Sequence, residues 1–289
     1  MKILILGATG LLGNALFRVL SETKEHEVFG TIRKSKSKAY FTDELAHKLI
    51  VAEDLIDVSQ INNMLLKLTP DTIINCVAVP RAVEPSVVEI LRIYSVLPHT
   101  LKRICDSNSM RLIQISSDGV FSGRTGNYSE ADATDATDIY GISKFLGEIT
   151  GENAVTLRTS IIGHELKSKT GLLEWFLSQT DSCEAYGKSI FSGFTSIEIS
   201  KIIRDKVLPN RSLNGVYHLA SEPISKYNLL SLIKDRYGSK IKLNRNDTLS
   251  VNRSLNADLF NKDASYQPPK WITQIDQMYS YRFGLRSLL

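Results

Sequence analysis

The chain has 289 residues, 43% of them hydrophobic and 23% charged, enough to enclose a sizeable core and unlike a disordered composition. A net charge of +4 spread along the chain, with a sequence pI near 8.8, argues against a nucleic-acid partner and for anionic small molecules. No stretch approaches the ~20 apolar residues of a membrane span. The first apolar run reaches glycine too soon for a signal peptide. Cys76, Cys105 and Cys183 lack metal-ligand spacing and cannot all pair, so a reduced, cytoplasmic protein without a metal is expected.

The first predicted strand is the apolar run Ile3 to Leu6, followed at once by Gly7-Ala-Thr-Gly10-Leu-Leu-Gly13. Ala15, Leu16, Val19 and Leu20 then recur at helical spacing, which predicts a helix from about Leu12 to Glu22. A glycine-rich turn between a strand and a helix suits a dinucleotide pyrophosphate, because glycine permits the tight turn, the close approach of phosphate, and the packing of helix on strand. A second strand, Glu27 to Ile32, leads into Arg33, Lys34, Ser35, Lys36, Ser37 and Lys38. NAD-binding chains place a carboxylate here for the ribose 2′-hydroxyl. A guanidinium can instead hold a 2′-phosphate, so NADPH is favoured over NADH. The later lysines also suit a solvated basic loop; Arg33 stands directly at the strand end.

Further strands are predicted at Lys48 to Val51, Thr72 to Val77, Arg111 to Ser116 and Val155 to Arg158. Helices are predicted at about Val58 to Lys67, with Asp57 as N-cap, Val87 to Asp106 and Tyr140 to Gly147. Asp54 and Leu55 occupy the place where such a fold contacts adenine. Short apolar runs alternating with helical patterns define an α/β class, a doubly wound parallel sheet of Rossmann type over residues 1–158.

Tyr140-Gly-Ile-Ser-Lys144 carries the chemistry. Residues four apart share a helix face, so Tyr140 and Lys144 can address one substrate atom. An ammonium beside a phenol favours the phenolate and makes the tyrosine a better proton shuttle near neutrality. Ser116-Ser117-Asp118, at the end of an apolar strand, can bring a hydroxyl to the same carbonyl oxygen.

The glycine septet, Asn75, "RLIQISSDGVFSG", "YSEADATDATDIYGISKFLGE", "LRTSIIG" and "GVYHLASEPIS" together resemble the extended short-chain dehydrogenase/reductase superfamily, and within it the dTDP-4-dehydrorhamnose reductase type. The resemblance covers nearly the whole chain. It implies NADPH-dependent reduction of the C4 ketone of a nucleoside-diphospho-4-keto-6-deoxy-hexose, a step of dTDP-rhamnose or other polysaccharide precursor synthesis. Tyr140 would be the acid, Lys144 the ribose-binding and electrostatic residue, and Ser117 would stand where threonine is usual. Cofactor contacts are implied at Gly7, Thr9, Gly10, Leu11, Leu12, Gly13, Arg33, Lys34, Asp54, Leu55, Cys76, Val77, Ala78, Ser116, Tyr140 and Lys144. Substrate contacts are implied at Ser117, Asp118, Gly119 and Arg253. The family's "STDYVF" is "SSDGVF" here, and Gly119 is expected to leave room for a 2-acetamido group, which admits a UDP-2-acetamido-2,6-dideoxy-4-hexulose beside the dTDP sugar.

Residues 159–289 are expected to form mainly a smaller substrate-binding sub-domain, with segments returning to the first. It reads as a helix in "GLLEWFLSQ", then "IFSGFTS", a strand "GVYHLA", a helix "SKYNLLSLIKDRYG" and a late segment "VNRSLNADLF". Arg253 in the last suits a diphosphate, and equally an ordinary exposed arginine. Trp175 and Phe176 read as core, His99 and His218 as structural. Two other functions stay open: a non-catalytic NADP-binding regulatory subunit, against which the tyrosine, lysine and serine argue, and an epimerase or dehydratase, against which the lone Asp118 before Gly119 argues. A homodimer is an open assembly.

Overall fold

A computed structural model describes residues 1–79 and 85–286; positions 287–289 of the expected second sub-domain lie outside the described residues. The core is a seven-stranded, wholly parallel sheet in the order β10-β6-β5-β4-β1-β2-β3. Its strands are β1 (Lys2–Leu6), β2 (Glu27–Ile32), β3 (Leu49–Val51), β4 (Thr72–Asn75), β5 (Arg111–Ile115), β6 (Ala154–Arg158) and β10 (Gly215–His218). Burial on both faces explains their nearly unbroken apolar runs. One face packs Ile3, Ile5, Ile74, Ile113 and Val155 beneath Leu16 and Phe17 of helix α1 (Leu11–Glu22). The other packs Leu4, Leu6, Ile73 and Leu112 against Ile61 and Leu65 of α2 (Val58–Leu68), together with Leu97 and Leu101. Asp57 caps α2 by accepting the N–H groups of Ser59 and Gln60.

Strand β4 stops two residues before the predicted end. The buried Asn75 side chain takes the Val77 N–H at 3.2 Å and donates to Gln114 Oε1 at 2.8 Å, ending the ladder. The helix expected from Val87 to Asp106 is not uniform. Helix α3 runs as α over Val87–Leu91, as π over Arg92–Val96 and as α again over Leu97–Ser107. Pro98 supplies the reason: it has no N–H for the carbonyl of Tyr94 one α-turn earlier, and its ring crowds that carbonyl, so the helix widens locally.

The Tyr140-to-Lys144 motif lies on α4 (Ile139–Leu146), capped by Asp138, which accepts the Gly141 N–H at 2.9 Å. Beyond residue 158, β10 completes the large sheet, and α6 (Ser196–Ile202) packs with α1 over its face. The remainder builds a lobe. Strands β8 (Ser182–Phe191), β11 (Ile224–Ser225) and β12 (Lys242–Asn252) form a sheet in the order β11-β8-β12, and β7 (Ile161–Ile162) pairs with β9 (Phe194–Thr195). Helices α5 (Leu172–Leu177), α7 (Lys226–Tyr237) and α9 (Trp271–Arg286) close its core around Leu173, Phe176, Leu229, Ile233, Trp271 and Ile275, while α8 (Asp258–Asp263) sends Phe260 into the large core. Phe176 is fully buried and Trp175 packs against it, a core role for both. The sequence reading left residues 182–191 and 242–252 without strands. Among the described residues, no helix is long and apolar enough to cross a membrane.

Candidate active site

The carboxyl ends of β1, β4 and β5 converge, as ligand-binding edges of parallel sheets do. Gly7 turns the chain with φ of 83°, its N–H bonded to Thr31 Oγ1 at 3.0 Å, and its carbonyl accepts the Gly10 N–H at 2.9 Å. A Cβ on Gly13 would collide with that carbonyl, and one on Gly10 would crowd it at 3.3 Å, so both glycines are required by close approach. Helix α1 begins with no side-chain cap and no acidic residue in its first turn. Its first N–H groups and positive end are therefore available to an anion, and the cradle fits a pyrophosphate. Gly10 is exposed, Thr9 and Leu11 half-buried; Leu12 is committed to the core, which leaves only its backbone to a ligand.

Arg33 and Lys34 follow β2 on the surface. Lys167, from the loop after β7, reaches back to donate to Ser37 Oγ at 2.8 Å, and its ammonium pKa is lowered by partial burial and by Lys36, Lys34 and Arg33. No local pattern marks this cation, which lies 130 residues further along the chain than Ser37. No carboxylate among the described residues forms an ion pair with Arg33, Lys34 or Lys167. Asp54 is exposed and its carboxylate accepts the Ile56 N–H at 2.8 Å, a local turn, while Leu55 packs under the sheet. Cys76 and Val77 are half-buried and Ala78 exposed at the end of β4, where the Cys76 carbonyl lies over Gly7. Burial pushes the Cys76 thiol up to about 12, so it stays protonated.

At the end of β5 the side chains diverge. Ser116 Oγ donates to Glu148 Oε1 at 2.7 Å, which commits its side chain to the frame and leaves its backbone at the strand end. Glu148 is itself gripped by Arg158 through Nε and Nη2, both at 2.8 Å, and Arg158 Nη1 reaches His218 Nε2 at 3.2 Å. This buried network ties the chain just past α4 to the ends of β5, β6 and β10. His218 is fully buried, and burial together with Arg158 pulls its pKa down to about 4. His99 bonds the Leu146 carbonyl at 2.7 Å; both histidines serve the frame.

Ser117 faces the other way. Its hydroxyl accepts the Gly119 N–H at 3.0 Å and donates to Asp118 Oδ1 at 3.2 Å. Asp118 is desolvated, which raises its pKa, and is opposed by the hydroxyls of Ser117 and Ser160 and the charges of Arg253 and Lys226. Arg253 is half-buried, its Cγ packed near Gly123 and its Nε enclosed without an acceptor, unlike an ordinary surface arginine. The structure therefore gathers Ser117, Asp118, Gly119 and Arg253 at one edge of the lobe.

A Cβ on Gly119 would sit 3.0 Å from Tyr140 Cε1 and 3.2 Å from Ser117 Oγ, so the glycine lets that ring and hydroxyl close over the backbone. Tyr140 is 39% exposed and Lys144 only 8%. Tyr140 therefore presents part of its side chain to solvent, whereas the ammonium one helical turn on is buried and donates to the Ile115 carbonyl at 2.6 Å. Burial lowers the Lys144 pKa to about 8, against the pull of the Glu148 carboxylate. Among the described residues no cluster of histidine, cysteine and carboxylates could hold a metal ion.

A doubly wound parallel sheet with a glycine-lined strand-to-helix turn, and a Tyr-x-x-x-Lys helix beside a strand-end serine, is the architecture of an extended short-chain dehydrogenase/reductase. The chain belongs to the RmlD substrate binding domain family, which it matches over residues 1–186. It resembles the crystal structure of a hypothetical dTDP-4-dehydrorhamnose reductase from Sulfolobus tokodaii, at 24% identity and a TM-score of 0.77, covering 94% of this chain and 98% of that one. The dTDP-4-dehydrorhamnose reductase of Bacillus anthracis in complex with NADP gives a TM-score of 0.79 at 18% identity, covering 97% and 98%. Among curated proteins, methionine adenosyltransferase 2 subunit beta of Danio rerio is 26% identical over 82% of this chain and 74% of its own length.

Proposed function

We propose that the protein reduces the C4 ketone of a nucleoside-diphospho-4-keto-6-deoxy-hexose with NADPH. The observation that carries this reading is the closure of the Tyr140 ring and the Ser117 hydroxyl on Gly119, with Lys144 buried one turn behind the tyrosine. The Gly7 to Gly13 turn and the end of β4 would hold the cofactor, and Arg33, Lys34 and Lys167 would face its 2′-phosphate. When bound, the cofactor supplies a hydride to the carbonyl carbon. Tyr140 donates its phenolic proton to the alkoxide that develops on the carbonyl oxygen. Lys144 holds positive charge beneath the phenol and lowers the cost of that transfer. Ser117 turns its hydroxyl from Asp118 toward the same oxygen, and Arg253 meets the diphosphate. The dTDP sugar is taken as the substrate, with a UDP-2-acetamido-2,6-dideoxy-4-hexulose as the alternative.

A panel of enzymatically generated dTDP- and UDP-4-keto-6-deoxy sugars, scored by NADPH oxidation and product identification, tests the reading. Turnover of the dTDP sugar supports it; turnover of a UDP-2-acetamido sugar alone would reverse the choice of substrate. The likeness to methionine adenosyltransferase 2 subunit beta favours a second reading, an NADP-binding regulatory subunit. NADPH binding without turnover of any sugar in the panel would select it.

A further inference from the structure

Tyr94 lies in the π-segment of α3 and is 8% exposed. Its ring stands edge to face with Tyr140, centroids 5.5 Å apart and planes at 89°. The Lys144 ammonium lies over the same ring, 5.0 Å from its centroid. Its phenol oxygen accepts the Val79 N–H at 3.0 Å, which ties down the chain just past the end of β4. One side chain therefore touches the proposed acid, the lysine one turn on and the loop that borders the glycine cradle.

The backbone explains why it stays there. The carbonyl that Pro98 displaces from the α-ladder is that of Tyr94, and it packs so tightly on Gly147 that any Cβ at 147 would collide with it. Ser95 Oγ donates to the Ser143 carbonyl at 3.0 Å. The widened turn is thus keyed into α4 at 143 and 147, on either side of Lys144.

We propose that Tyr94 is a positioning residue that holds Tyr140 and Lys144 in register and favours the charged form of Lys144. This rests on the reductase reading for its catalytic consequence, though not for its electrostatic one. The other groups that face Lys144 are Glu148 on its own helix, paired with Arg158 of β6, Tyr140, the Ile115 carbonyl of β5 and the protonated Cys76 at the end of β4. Among these Glu148 carries negative charge, and it is shared with Arg158. Beside that carboxylate and the Ile115 carbonyl, the aromatic face adds attraction for the ammonium.

The test compares Tyr94→Phe, which keeps the ring, with Tyr94→Leu, which removes it. Titration of Lys144 is followed by NMR of 15N-lysine-labelled protein, with Lys144→Met to identify the signal, and kcat and KM are followed across pH on the sugar that the panel identifies. In Tyr94→Leu the Lys144 midpoint should fall by about half a unit or more and kcat by about tenfold, with KM within threefold; Tyr94→Phe should restore both. An unmoved Lys144 midpoint in Tyr94→Leu, with its fold intact by circular dichroism, overturns the proposal whatever the activity. A midpoint that falls in a protein without turnover of any sugar upholds the role of Tyr94 and removes the reductase reading. If Tyr94→Leu does not fold, Tyr94→Met carries the same comparison.

Discussion

The two sheets of this protein are built on opposite terms. The inner strands of the large sheet are runs of four to six residues covered on both faces, so they are mainly apolar, while the edge strand β3 opens to solvent at Val51. The lobe's β12 is eleven residues long and mostly exposed, and its strand character comes from pairing with β8, some sixty residues earlier. The same backbone geometry is held in one case by burial and in the other by a partner. The proposed chemistry sits on the first kind because a catalytic constellation needs elements that packing fixes, while the lobe would contribute single charged side chains such as Arg253 and Lys167.

The sharpest way to break this contrast is at the large sheet's edge. Tyr140→Phe should lower turnover by roughly 10² to 10⁴-fold, about 3–5 kcal/mol of barrier, with thermal midpoint and NADPH binding nearly unchanged. Wild-type turnover in this variant would remove the acid from the mechanism. Arg158→Met leaves the buried Glu148 carboxylate without its partner and should cost about 3–5 kcal/mol of stability in urea unfolding. A loss under ~1 kcal/mol would mean that the network behind α4 is dispensable.

Lys144 gives a pH-dependent test of the same region. Its pKa is about 8 in the folded protein and ordinarily 10.5, so between these values the unfolded chain holds a proton that the folded chain has released. Wild-type stability should therefore gain from this group as pH rises through that window. Lys144→Met lacks the charge, and its stability relative to wild type should be higher at pH 7 than at pH 10.5 by on the order of 3 kcal/mol. A pH-independent difference would show that the ammonium is hydrated.

At the cofactor edge, Arg33→Ala should weaken NADPH binding by about 1.5–3 kcal/mol and leave NADH unaffected, measured by fluorescence titration. Equal loss for both would detach Arg33 from the 2′-phosphate. The smallest effect belongs to the lobe: Leu249→Ala, at a 41% exposed position on β12, should change stability by no more than ~0.5 kcal/mol. A large loss there would show that β12 is held by burial after all.

The sequence alone determined the glycine turn, the basic residues after β2, the strand-end serines and the Tyr140 and Lys144 spacing, because each depends on neighbours within one or two turns of chain. It also determined the six apolar strands up to residue 158, since burial on both faces writes itself into every residue of a strand. Tertiary structure decided the rest. Ser116 turned to Glu148, and the Tyr140 ring closed over Gly119, because both outcomes hang on which side chain arrives from another element. Lys167 and Tyr94 join the site from segments with no local signature of binding. Strand β12 is mostly polar, with only Leu243, Leu249 and Val251 apolar, and its hydrogen-bonded partner makes it a strand. Periodicity records what a residue is buried against within its own element; it does not record which distant element will come to meet it.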